Sequence, residues 1–431
     1  MKLFQKRFFA GLLICIMLLS GCGDKLSKIT ENSDEKNGAK ISNNVSENDV
    51  TGNISENASD ENVSGDADTP DEENNGETGG TSESSTGNNT SEESNGRKTP
   101  PKVKALYLTG WTAGSKSKVQ HYIEVAKNTE INSYVIDIKD DDGYVGYESQ
   151  VPEVRANGTW KKKYDVDSVL KEFHDNDVHI IGRLVCFKDP VYSMKRPDLA
   201  IKNDSGGVWK DKDEISWLNP YNKETWDYII SIAKEAVEKG FDEIQFDYVR
   251  FPSRSKKNPM NFSGIEKEKY EAINEFLKYA SEQLPGVILS ADVFGIILES
   301  PADTEKIGQY LEYIGRDIDY ISPMVYPSHY AAGQIVNKIK FDAPDLKPYE
   351  VVYNSLIKAK DRISKVSDYK AKVRPYLQDF TASWIRPKSN YQEYTAKQVR
   401  EQIQAVYDAG YEEWILWDAS NKYCEDALLS E

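Results

Sequence analysis

Beyond position 102 the chain alternates short, nearly unbroken apolar runs with longer stretches of helical periodicity. The apolar runs are Val103–Thr109, Ser133–Lys139, Val178–Phe187, Glu243–Tyr248, Gly286–Asp292, Ile318–Val325, Lys372–Asp379 and Glu413–Asp418. Runs apolar on both faces are the signature of parallel strands covered on each side. Helices are expected at Lys116–Thr129, Asp165–Asn176, Lys223–Lys239, Glu266–Gln283, Val351–Lys365 and Ala396–Ala409; Trp226, Ile229, Ile230, Ala233 and Val237 mark one buried stripe. Strand and helix alternate eight times, which predicts an α/β fold, a (β/α)8 TIM barrel over residues 101–431. A doubly wound open sheet is the alternative. Its dinucleotide fingerprint is absent after the first run, where Gly110-Trp111-Thr112-Ala113-Gly114 lacks the third glycine in place.

The first hundred residues read differently. Lys2, Lys6 and Arg7 precede an apolar run from Phe8 to Leu19, too short to span a bilayer comfortably but suited to a signal peptide. Leu19-Ser20-Gly21-Cys22 resembles the bacterial lipobox, so residues 1–21 are expected to be a lipoprotein signal and Cys22 the acylated residue. An ordinary secretory signal is the alternative. Residues 22–100 are rich in Asn, Ser, Glu and Gly and poor in large apolar groups, the composition of a disordered acidic tether. It would reach on the order of 50 Å from the extracellular face of the membrane.

Of the formal charge of -17, most lies in that tether: eighteen acidic and six basic residues fall between Asp24 and Lys98. Such a balance argues against a nucleic-acid partner, whose phosphates need a basic surface. Outside the signal and the lipobox only Cys186 and Cys424 remain, which is no disulfide framework. A monomer is favoured.

In a barrel, polar residues at strand C-termini converge on the catalytic mouth. Here strands two, four, five, seven and eight end in or near Asp137, Asp247, Asp292, Asp379 and Asp418. Lys139, Arg183, Arg250, Tyr326 and His329 join them, with Trp111, Tyr144, Tyr248, Phe251, Trp384 and Trp417 among the aromatics. Carboxyl pairs with aromatic platforms suit glycosidic chemistry: one acid protonates the leaving oxygen, a second carboxylate attacks or activates water, and rings stack on sugar faces. Structural alternatives stand beside each. Asp247 is either a reacting group or the ion-pair partner of Arg250. Asp137 and Lys139 are either a strand-end ion pair or substrate contacts. Arg183 balances buried carboxylates, His329 sits on the rim or shuttles a proton, and Asp379 and Asp418 are catalytic groups or helix N-caps. One of Trp414 and Trp417 packs in the core. No cofactor or metal is expected: Asp140-Asp141-Asp142-Gly143 lacks the spaced ligands and closing Glu of a calcium loop, and no GxSxG occurs.

Phe241-Asp-Glu-Ile-Gln-Phe-Asp-Tyr-Val-Arg-Phe-Pro252, Val135-Ile-Asp-Ile-Lys-Asp140 and Phe187-Lys-Asp-Pro190 resemble a bacterial family of glycoside hydrolases, first described as a domain of unknown function. The resemblance covers about Lys102 to Cys424 and implies a β/α barrel distantly similar to the α-amylase superfamily. Carried over by position, the amylase-like nucleophile, acid/base and third carboxylate become Asp247, Asp292 and Asp379. Strand five offers Asp where that superfamily has Glu, and Gln245 replaces the Arg two residues before the nucleophile. Retention and inversion both stay open. The reading is a lipid-anchored cell-surface glycoside hydrolase acting on an extracellular or wall polysaccharide. Asp247 and Asp292 would face each other across the mouth. Asp137, Lys139, Arg183, Arg250, Tyr248, Tyr326, His329, Trp111, Trp417 and Asp418 would line the substrate site. A barrel that binds glycan without cleaving it is the rival.

Overall fold

The computed structural model describes residues 100–253 and 258–430. The expected signal, Cys22 and the acidic tether lie outside the described residues. Six strands come first: β1 (Lys104–Leu108), β2 (Ser133–Lys139), β3 (His179–Val185), β4 (Glu243–Asp247), β5 (Ile288–Phe294) and β6 (Tyr320–Met324). A small hairpin, β7 (Gln334–Val336) and β8 (Ile339–Phe341), is followed by β9 (Lys372–Val373), β10 (Tyr376–Gln378) and β11 (Trp414–Trp417). Apart from the hairpin the strands pair in parallel in the order β10-β11-β1-β2-β3-β4-β5-β6-β9. Tyr376 of β10 also pairs with Met324 of β6, which closes the ring. β9 and β10 are two pieces of one stave, broken where Pro375 has no N–H to give the ladder. The result is an eight-staved (β/α)8 barrel, and the open sheet is excluded.

Each stave serves two cores, because alternate side chains point to opposite faces. Ala105, Tyr107, Val135, Ile181, Tyr376 and Ile415 pack together inside the barrel. Their strand neighbours Leu106, Ile136, Ile180, Ile244, Leu289 and Leu416 pack outward under the helices. The helix Lys223–Lys239 shows how sequence sets an element. Asn222 caps it by accepting from the Glu224 N–H at 2.9 Å. Trp226, Ile229, Ile230 and Ala233 bury one stripe, and Gly240 ends it at φ 110°, where a Cβ is disfavoured. It delivers the chain into β4.

The other expected strands and helices are present within three residues of their expected ends. The alternation is less regular than the sequence suggests. Between β5 and β6 the longest α-helix is the single turn Leu311–Ile314, and the connection from β3 first runs through isolated bridges such as Ala200–Leu218 and Lys210–Ser216. These segments, together with the hairpin, extend the loops at the strand C-termini.

Candidate active site

The barrel interior is polar at three levels. At its floor Glu243 and Arg374, both fully buried, form an ion pair, with Ser290 donating to the same carboxylate and the Arg374 guanidinium 4.2 Å from the Tyr320 ring centre. Above it Tyr376 donates to Gln245 at 2.6 Å, and the Gln245 amide donates to Ser322 at 3.2 Å. Gln245 thus has a neutral partner set inside the barrel.

The upper level is organised by Arg183. Its Nε and Nη2 donate to Asp247 Oδ2 at 2.9 and 2.6 Å, Nη1 donates to Asp137 at 2.7 Å and Nη2 to Asp141 at 3.0 Å. The other oxygen of Asp137 accepts from the Tyr107 hydroxyl at 2.7 Å. Trp417 stacks on Tyr107 with ring centres 4.0 Å apart, and both rings lie within 6 Å of the guanidinium, at 5.4 and 5.6 Å. Asp247 also accepts the backbone N–H of Tyr248 at 2.5 Å. Tyr248 itself sits at φ 48°, a region a bulky side chain rarely adopts, so the chain turns sharply just past the carboxylate.

Asp292 stands beside this network. Phe246 and Ala291 are register partners, so Asp247 and Asp292 follow as the next residues on adjacent strands. Neighbouring strands lie ~4.8 Å apart, so the two carboxyls are side by side and do not face each other across the mouth. Asp292 is 2% exposed and its Oδ1 has no hydrogen-bond partner among the described residues. Burial, reinforced by the charge of Asp247, pushes its carboxyl well above the usual range. Asp137 is also raised, burial outweighing Arg183. Asp141 is held low, because Lys188 and Arg183 outweigh burial.

Several expected pairings are redrawn. Asp247 pairs with Arg183, and Arg250 instead lies against the rings of Phe294, Trp217 and Tyr248 at 4.4, 5.0 and 5.2 Å. Lys139 pairs with Asp189 at 3.0 Å and donates to the Val185 carbonyl, leaving Asp137 to Arg183. Trp414 is the core residue and Trp417 the mouth residue.

Residues 105–423 match the family described as "Putative glycosyl hydrolase domain". The chain belongs to this glycosyl hydrolase family. No curated protein matches. Among solved structures, a hypothetical protein from Ruminiclostridium thermocellum ATCC 27405 is 66% identical, covering 44% of this chain and 97% of that one, with a TM-score of 0.42. The PgaB (BpsB) glycoside hydrolase domain from Bordetella bronchiseptica is 12% identical, with a TM-score of 0.54 over 76% of this chain and 99% of that one. That second likeness is one of fold.

In this glycoside hydrolase barrel the third expected carboxylate, Asp379, is not drawn into the Arg183 network. Its Oδ2 accepts the Cys424 N–H at 3.0 Å, and burial, with Asp418 nearby, pushes its carboxyl to about 6. Asp418 caps a turn, accepting from Ser420 N at 2.6 Å. Tyr326 and His329 sit edge to face, 5.0 Å apart, on the loop after β6. Burial lowers the His329 imidazole to about 4, and its Nε2 is shielded without a partner among the described residues. Trp111, on the turn after β1, is 55% exposed at the rim. Cys186 and Cys424 are both free thiols. Sequence reasoning passed over Tyr107, Asp141, Lys188 and Asp189. The inward parity of Tyr107 with Ala105 was the available signal for the first, and the quoted Phe187–Pro190 motif held the last two.

Proposed function

We propose that this barrel hydrolyses glycosidic bonds of an extracellular or cell-wall polysaccharide, with Asp247 as nucleophile and Asp292 as general acid. One observation carries the reading: of two adjacent carboxyls, one is held by a guanidinium and the other is buried with an oxygen that has no hydrogen-bond partner among the described residues. Asp247 accepts two N–H bonds from the Arg183 guanidinium, which fix the position of its carboxyl at the end of β4. Asp292 is buried beside Asp247 and pushed toward its protonated form, ready to give a proton. In the first step Asp292 protonates the departing oxygen while Asp247 bonds to the anomeric carbon. In the second, Asp292 takes a proton from water as that water displaces Asp247. Side-by-side placement on neighbouring strands favours the ~5–5.5 Å separation of retaining enzymes over the ~6.5–9.5 Å of inverting ones. Tyr107 and Asp137 fix Arg183, and the half-buried Trp417 offers a stacking face.

The same reading places the enzyme outside the cell. Leu19-Ser20-Gly21-Cys22 after a short apolar run supports lipidation at Cys22, with the acidic segment as a spacer from the membrane. Cys22→Ala should release the protein from the membrane fraction, and unchanged partitioning would refute the anchor. The chemistry is tested by following the anomeric configuration of the first-formed product by NMR. Retention supports the double displacement; inversion would assign Asp247 the role of base toward water.

A further inference from the structure

Arg250 is unaccounted for by the hydrolytic pair. It is 5% exposed, yet among the described residues its one hydrogen bond is from Nη1 to the Phe251 carbonyl at 2.9 Å. No carboxylate among the described residues lies within ion-pair reach of it. Three aromatic rings surround the guanidinium, with Phe294 at 4.4 Å. Such faces return less to a desolvated cation than burial of an unpaired charge demands. A second buried cation stands close by. Lys188, 6% exposed, reaches the Tyr248 hydroxyl at 3.3 Å and lies 4.5 Å from the centre of the same ring that Arg250 flanks. Two like charges share one phenol.

The position matters as much as the charge. Tyr248 follows Asp247 directly, and Phe294 is two residues beyond Asp292 on β5, hence on the same face of the strand. The cation pair therefore borders the carboxyls that would act on the glycosidic bond. A planar guanidinium hemmed in by three aromatic rings has little room to turn, and its remaining N–H fork matches a carboxylate in bidentate fashion.

We propose that Arg250, with Lys188, binds the carboxylate of an acidic sugar, making this a hydrolase of anionic glycans. The inference rests on the hydrolase reading above and names its substrate class. The carboxylate is that of a uronic acid or of a lactyl ether on an amino sugar; both present the same anion.

The test uses the full-length protein on matched glycan pairs, native and carboxyl-reduced, in which each carboxylate becomes a hydroxymethyl group with linkages intact. One arm uses uronic-acid polysaccharides and the other glycan strands with lactyl ethers, so the arm that responds identifies the source. Wild type should show kcat/KM at least tenfold higher on the native member of a pair. Arg250→Gln should bring that ratio close to one, and Arg250→Lys should leave it intermediate. A ratio near one in wild type, or a ratio unchanged by Arg250→Gln, overturns the proposal. Calorimetric binding of the same pairs reads the discrimination without turnover. If binding discriminates but no glycan is cleaved, the hydrolase reading fails and the anion site stands. Equal binding of both members overturns the anion site by itself.

Discussion

Replacing Arg183 with Met removes the hub of the upper barrel while keeping an unbranched apolar stem. The side chain is 2% exposed and serves Asp137, Asp141 and Asp247, whose side chains are 4%, 47% and 10% exposed. The Asp141 contact is open to solvent and contributes at most about 1 kcal/mol. Asp247 is the main loss, since stripping one partner from a buried ion pair costs about 3–5 kcal/mol. Asp137 keeps the Tyr107 hydroxyl and adds to this less than a full pair would. Arg183→Met should therefore lose about 3–5 kcal/mol at pH 7, equivalent to roughly 10 °C in Tm for a domain of this size. Urea denaturation of four proteins measures it: wild type, Arg183→Met, Asp247→Asn and the double variant. Asp247→Asn removes the charge that Arg183 neutralises, so the arginine substitution should cost less in that background, with a coupling of about 2 kcal/mol. A loss below about 1 kcal/mol, or the same loss in both backgrounds, refutes the electrostatic role given to Arg183.

Three further outcomes follow from the same geometry. Asp379 binds its proton more tightly folded than unfolded, its carboxyl lying at about 6 against an ordinary 3.8. It therefore adds stability that is full below pH 4 and lost as pH rises through 6, about 3 kcal/mol in all; Asp379→Asn should remove that fall from the stability profile, and a profile parallel to wild type would contradict it. His329 has the opposite sign. Its imidazole is lowered from 6.5 to about 4, so its stability is present above pH 6.5 and lost as pH falls toward 4; His329→Gln should flatten that window in a thermal-melt series. At the floor, Glu243→Leu leaves buried Arg374 with the longer Glu413 contact at 3.6 Å and should cost up to about 3–5 kcal/mol in urea, while Glu243→Leu with Arg374→Leu should recover most of it.

The fold was legible in the sequence because parallel staves buried on both faces read as apolar runs. The eight runs, Ser133–Lys139 and Glu243–Tyr248 among them, mark the eight staves. What the runs could not convey was the connections. The segment 186–222 after β3 is built from single helical turns, such as Tyr192–Lys195, and isolated bridges, whose signal is spread over single residues. At the site, the strand-end rule collected Asp137 and Asp247, which the structure brings together on Arg183, the residue read as a counter-charge. The Asp247–Arg250 pairing failed because spacing past a strand end does not fix direction, and the positive φ of Tyr248 turns the chain there. Asp292 was expected opposite Asp247; register places it alongside, since consecutive staves carry equivalent residues to the same edge. Asp379 follows Gln378, whose amide donates to Asp345 at 3.1 Å and to the Phe380 carbonyl at 2.9 Å; Asp379 turns instead to Cys424. That difference of one residue is the period-two rule at work.

The central claim is that Asp247 and Asp292 form one hydrolytic pair, and release of reducing ends from cell-surface polysaccharides tests it most directly. Wild type, Asp247→Asn and Asp292→Asn are compared on the same glycan fractions, with glycan binding measured in parallel. The account predicts new reducing ends from wild type, a loss of at least a thousandfold in both variants, and binding retained in both. Asp247→Asn or Asp292→Asn turning over at the wild-type rate would contradict it, as would a wild-type protein that binds a glycan and releases no reducing ends.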